Sequence, residues 1–429
     1  MKLGFKTLSN FILVLVLFLI SIGCKHHENN KLVLPSDFKF KVSAHITELC
    51  KNNSRYTGSD FEKQAANYIN KQFSEIGLHS QIENFDFESF EVNQSILNIG
   101  ELSINPTRLC FNPYKDSLVV NADFVLIDTI SDTDLSNKYV IATEKINYFQ
   151  IVLMQPKMII YVDSLDYQKI KNQELSTLNL KIKGEINEYK SANVVANIKS
   201  TNCNDKLIII CAHYDSYLNS PGADDNASGT AAIIELAKTL FNNSSILNDF
   251  NVKFIAFSGE EKGLLGSRNY LDTHSDELKN CVLLINLDQI GGQEKINILV
   301  SDGISGIPKI KGTNQFPGYL QGRPFEGVSS RWTIVDPQIF GLMAIANTPN
   351  WLIDVINESS IDYNINQTAS SGSDEFVFTQ AGIVSTCIFT GGNEYHSEKD
   401  IPEQVNLTTV ERIGNLTLKI IENTIKRKN

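Results

Sequence analysis

The chain has 429 residues, 42% hydrophobic and 20% charged, with a formal net charge of −11 at pH 7. That is globular composition, and the length suits one large domain or one domain carrying an insertion. Basic residues gather only at Lys426, Arg427 and Lys428, so the chain lacks a footprint for phosphates and nucleic acid is excluded as an expected partner.

At the N-terminus, Lys2 and Lys6 precede an apolar stretch from Phe11 to Ile20 and then Ser21-Ile22-Gly23-Cys24. A charged segment, an apolar segment and a small-residue zone make a secretory signal peptide over 1–24. Gly23-Cys24 resembles a bacterial lipobox, with Ser21 where leucine is usual. The resemblance implies a protein exported to the periplasm or cell surface and held on the membrane by a lipid on Cys24. Residues 25–34 then read as a tether. No later run is long and apolar enough to span a bilayer. Of the remaining cysteines, Cys211, Cys281 and Cys387 fall inside apolar runs and read as buried thiols, and none are paired at metal-site spacing.

Residues 59–77 predict an amphipathic helix. Phe61, Ala65, Tyr68, Ile69, Phe73 and Ile76 recur at helical spacing, Ser59 and Glu62 fit a capping box, and Gly77 fits the end. From 85 to 190 short β-branched runs such as 124–127 and 158–162 predict a small β-rich insertion, with a faint likeness to a protease-associated domain. From 191 strand and helix alternate. Strands are expected over 207–211, 252–257, 282–287 and 383–389, and helices over 230–240, 264–271 and 403–425. The pattern predicts an α/β fold, a three-layer sandwich on a mostly parallel mixed sheet, built from 35–84 and 191–429.

Each of these strands delivers a polar residue to one rim, where open α/β sheets gather ligands. His213 follows the first, Glu260 and Glu261 the second, Asp288 the third and His396 the fourth. Asp225 lies in the acidic loop Gly222-Ala223-Asp224-Asp225-Asn226-Ala227-Ser228-Gly229 that opens a helix. Aspartates there also suit a helix N-terminus, but capping does not require the other acids and histidines. Two imidazoles and three carboxylates make a nitrogen/oxygen donor set suited to zinc. With Asp225 shared, five ligands hold two ions and leave Glu260 free as a proton carrier. Asp215, two residues after His213, is placed to accept the imidazole N–H.

His213-Tyr214-Asp215, the Asp-Asp-Asn-Ala-Ser-Gly loop, Ser258-Gly259-Glu260-Glu261-Lys262-Gly263 with Gly266-Ser267, Asn286-Leu287-Asp288 and Tyr395-His396-Ser397 together resemble the motif set of the co-catalytic dizinc aminopeptidases, metallopeptidase family 28. The resemblance implies a zinc-peptidase fold and a metallo-aminopeptidase acting on peptides with two Zn2+ per chain. It implies Asp225 as the bridge, His213 and Asp288 at one site, Glu261 and His396 at the other, Glu260 as general base and Asp224 behind the ligands. A glutaminyl-peptide cyclotransferase with a single zinc, and a carboxypeptidase of the same family, remain the alternatives. One departure stands out. At Ser373-Asp374-Glu375-Phe376, Glu375 replaces a histidine that many relatives carry near the pocket. Arg331-Trp332 is a candidate lining of the specificity pocket.

Overall fold

The structure is a computed structural model that describes residues 32–110, 117–129, 134–143, 145–146, 151, 156–200, 205–247, 249–292, 296–301, 350–358, 363–366, 373–392 and 394–428. The signal segment, Cys24 and Arg331-Trp332 lie outside the described residues.

Helix α1 (Phe38–Cys50) is followed by α2 (Asp60–Ile76). Ser59 caps α2 by accepting the Glu62 N–H, and Gly77 closes it in the left-handed conformation at φ 100°. The Glu62 carboxylate does not return to Ser59, as a simple capping box would have it. It accepts the Gly58 N–H at 2.7 Å and hydroxyl bonds from Ser191 and Ser258. Burial pushes Glu62 up to about 7 despite those hydroxyls.

Two long strands, β1 (His79–Ile99) and β7 (Thr177–Ile198), pair antiparallel along nearly their whole length. They cross the expected edges of the insertion at 85 and 190 without a break, so it is rooted in the main sheet by continuous strands. Between them lie β2 (Leu102–Ile104), β3 (Arg108–Cys110), β4 (Ser117–Leu126), β5 (Tyr139–Ala142), β6 (Met158–Tyr161) and helix α3 (Ser164–Lys171). Strands β4, β5 and β6 run parallel and β3 closes the edge antiparallel. Leu97, Ile99, Ile141, Ile160 and Leu180 pack on one side of this small sheet, and Val140, Ile159 and Tyr161 on the other.

The chain continues with β8 (Lys206–His213), α4 (Gly229–Asn242), β9 (Phe250–Phe257), α5 (Leu265–Thr273), β10 (Cys281–Leu287), β11 (Ile296–Ser301), α6 (Asn350–Asn357), β12 (Tyr363–Asn366), α7 (Glu375–Gln380), β13 (Ser385–Phe389) and α8 (Leu407–Lys428). The strand order is β12-β11-β13-β10-β8-β9-β7. The central four, β13, β10, β8 and β9, run parallel, while β11 on β13 and β7 on β9 are antiparallel. This is the mixed, mostly parallel open sheet expected. Buried on both faces, β8 reads Leu207-Ile208-Ile209-Ile210-Cys211 without alternation. Leu207, Ile209 and Cys211 face Tyr270 of α5 and Phe376 and Phe378 of α7 in one core. Helices α1, α2, α4 and α8 pack together and, through α4, against β8 and β9 on the sheet. Cys50, Cys211 and Cys387 are buried thiols, while Cys281 is only partly buried.

Candidate active site

The sheet delivers its polar residues to one rim. His213 is the last residue of β8, Glu260 and Glu261 follow β9, Asp288 follows β10, and His396 lies in the loop after β13 at φ 59°. Asp225 comes from the loop 223–228, outside helical geometry (φ −109°, ψ 87°) and with a cis peptide to Asn226. Asp225 itself is not the cap: Asn226 Oδ1 accepts the Gly229 N–H at 2.9 Å at the start of the helix, and Asp225 turns toward the histidines.

The two oxygens of Asp225 face different partners. Its Oδ1 lies 3.2 Å from His213 Nε2, which is also 3.3 Å from Asp288 Oδ1. Its Oδ2 lies 3.2 Å from His396 Nε2, which is also 3.0 Å from Glu261 Oε2. In each of the two groups, His213–Asp225–Asp288 and Asp225–Glu261–His396, all donor atoms lie within 4.8 Å of one another. Donors about 2.0–2.2 Å from one tetrahedral zinc stand roughly 3.3–3.6 Å apart, and the spacings here, 3.0–3.3 Å, lie at or a few tenths of an ångström below that range. The carboxylates also draw positive charge. Burial lowers the basicity of both imidazoles, yet Asp288 and Glu260 beside His213, and Glu261 and Asp225 beside His396, hold them well above the usual histidine value. Burial would raise Asp225, but hydrogen bonds from the two histidines hold it below the usual carboxylate range.

Glu260 stands half-buried at the turn after β9. Burial, with Glu261 and Asp288 nearby, holds its carboxyl well above the ordinary range against the pull of His213. The turn is tight because Gly259 adopts φ +70°, where a Cβ would meet Leu265 Cβ at 2.8 Å. Asp215 holds it from behind. The N–H groups of Glu260 and Glu261 donate to its two oxygens at 3.3 and 3.2 Å, and Thr57 Oγ1 donates at 2.8 Å. The same carboxylate lies 3.5 Å from His213 Nδ1, whose other neighbour is the Asp215 carbonyl at 3.2 Å. Asp215 therefore ties the imidazole to the Glu260–Glu261 turn. Asp224 points away from the cluster and accepts the Gly291 N–H at 2.6 Å. Burial pushes it up to about 7.

Glu375 is buried against the sheet and accepts from Asn286 Nδ2 at 3.0 Å, two residues before Asp288. Beside it, burial pushes Asp374 up to about 7. Several residues of the site were not legible in its motifs. Tyr217 stacks on the His396 ring at 4.4 Å and 13°, Arg55 and Asp400 hold backbone groups beside the cluster, and Thr57 holds the Asp215 carboxylate. Arg55 and Thr57 sit in a polar turn before α2, some 160 positions from Ser216 and Asp215, which they touch. Among the described residues, His396 is the most exposed donor of the two groups; its side chain is 39% exposed while that of His213 is 1%.

Residues 193–313 match the model of peptidase family M28. Aminopeptidase YwaD of Bacillus subtilis is 27% identical over 272 residues, 61% of this chain and 50% of that protein. Residues 193–313 thus carry the likeness to peptidase family M28. A second relative, the Probable lipoprotein aminopeptidase LpqL of Mycobacterium tuberculosis, is 34% identical over 130 residues, 30% of this chain and 25% of that protein. The chain spans half the length of the first relative and a quarter of the second. In fold it is similar to an aminopeptidase from Aneurinibacillus sp. strain AM-1 (TM-score 0.61, 19% identity, 89% of this chain and 93% of that one). It is similar also to BSAP, a zinc aminopeptidase from Bacillus subtilis (TM-score 0.59, 19% identity, 91% and 95%).

Proposed function

We propose that this chain is a zinc-dependent aminopeptidase that removes N-terminal residues from peptides, with two zinc ions per chain. His213, Asp225 and Asp288 hold one ion, and Asp225, Glu261 and His396 the other. The observation that carries this reading is the division of Asp225, one oxygen toward each group of donors. The nitrogen/oxygen donor set supports zinc, and the relatives named aminopeptidases support the reaction class. Zinc held there would supply Lewis acidity. Glu260 would act as general base, taking a proton from the attacking water and passing it to the leaving amine. Asp215 keeps the His213 tautomer fixed and sets Glu260 against it.

The purified protein should shorten free peptides one residue at a time and leave N-acetylated ones intact. A chelator should stop the reaction and added zinc restore it. Mass spectra of the peptide ladder decide the matter: equal cleavage of blocked and free peptides would exclude an aminopeptidase. Loss of ammonia from N-terminal glutamine without shortening would make the chain a cyclotransferase.

We also propose that the chain is exported and lipid-anchored through Cys24. The charged and apolar segments before Gly23-Cys24 support this. Among the described residues no helix is long and apolar enough to cross a membrane. Cys24→Ser should abolish acyl labelling and release the protein from the membrane fraction. A wild-type protein that is unlabelled and already free of membranes contradicts the anchor.

A further inference from the structure

The segment 220–225 leads into the shared aspartate, and its backbone polar groups are divided between two buried charges. Arg55, 1% exposed, donates from Nη1 to the Pro221 carbonyl at 2.6 Å and from Nη2 to the Gly222 carbonyl at 2.9 Å. Its Nε donates to the Tyr214 carbonyl at 2.7 Å, so the residue after His213 is on the same guanidinium. Its own backbone closes the loop, its N–H donating to Ser216 Oγ at 2.9 Å and its carbonyl accepting from Ser216 N–H at 3.2 Å. Asp400 takes the amides that follow. Its carbonyl accepts from Ala223 N–H at 3.1 Å, its Oδ1 from Asp224 N–H at 2.7 Å and its Oδ2 from Asp225 N–H at 3.0 Å. Cation on carbonyls and anion on amides is the favourable pairing for both charges, and charge-assisted bonds are the stronger kind.

The chain has no slack here. Gly222 adopts φ +61°, and a Cβ on it would meet the Asp225 carbonyl oxygen at 2.4 Å and Ser216 Cβ at 2.5 Å. Asp400 also stands four residues after His396, and its N–H bonds the Ser397 carbonyl at 3.2 Å. One buried acid thus joins the loop carrying His396 to the loop carrying Asp225. One buried base joins the strand end carrying His213 to that same loop.

Resting on the two-zinc reading above, we propose that Arg55 and Asp400 are positioning residues for the metal centre: they form a clamp that sets Asp225 midway between His213 and His396. Neither touches a donor atom of the cluster. Their effect runs through the backbone of Asp225, so both ions feel it.

The test is a zinc titration of the metal-free full chain against a competing chelator, with near-ultraviolet circular dichroism to establish that each protein is folded. Asp400→Asn keeps the shape but brings an NH2 against one of the two amides, and Arg55→Lys keeps the charge but loses the fork. Loss of groups that orient metal ligands typically weakens metal affinity about 10–100-fold. Both folded variants should show that weakening for both ions, and kcat at saturating zinc should return to within a few-fold of wild type. A residue that only supports the fold would lower the melting temperature and leave zinc affinity unchanged. Wild-type zinc affinity in a folded Asp400→Asn protein therefore overturns the proposal. Should that variant not fold, Arg55→Lys decides on the same terms. Failure of both to fold also overturns it, because the clamp would then be part of the fold. A wild-type protein that binds no zinc is a different result, and rejects the two-zinc reading itself.

Discussion

Glu260→Gln should retain both zinc ions and lose turnover by roughly a hundred- to ten-thousand-fold, the range associated with removing a general base. The structure gives reasons for both halves of that result. Glu260 belongs to neither of the two donor groups, so its amide replacement leaves the His213–Asp225–Asp288 and Asp225–Glu261–His396 contacts in place. Its backbone position is set by its own N–H on Asp215, which the substitution does not alter. A glutamine side chain has the size of glutamate but cannot accept a proton from water. Single-turnover and steady-state rates on a free peptide, with zinc content measured on the same samples, check the prediction. Wild-type turnover in the zinc-replete variant would remove Glu260 from the reaction.

Asp225→Asn should lower zinc content at both sites, whereas His396→Ala should mainly empty one. An asparagine keeps one carbonyl oxygen and replaces the other with an NH2 donor, so it can face His213 or His396 but cannot serve both as an acceptor. The expected loss is far larger than the roughly 1 kcal/mol attached to a helix-capping aspartate. That contrast separates the two roles an acidic loop before a helix suggests. Elemental analysis of the folded variants reads the outcome, and two ions retained in Asp225→Asn would contradict a bridge.

The sheet and its rim were legible because they depend on local pattern. Leu207–Cys211 and Leu283–Ile285 are continuous apolar runs of the kind a sheet buried on both faces accommodates. Each polar residue that follows such a run lands at the same edge. The capping signal at Ser59 was equally local, and it placed the start of α2. Its glutamate carried more than the signal implied. Glu62 turned out to reach Ser191 on β7 and Ser258 just after β9, which no local pattern encodes. Arg55 and Asp400 were illegible for the same reason. In sequence one is a polar turn residue and the other a charge in a polar loop. Their meaning arises only when 55, 214, 221–225 and 400 meet in space. Glu375 was legible as a departure from the family pattern, but its partner Asn286 came from the packing of α7 on β10.

The most direct test of the account is the number of zinc ions that the wild-type chain needs for activity. Chelator-treated protein titrated with zinc, with calorimetry and peptide release followed together, should take up two ions per chain and reach full aminopeptidase activity only with both sites filled. Full activity at one zinc per chain, or peptide cleavage with none, would contradict a centre in which Asp225 is shared between His213 and His396.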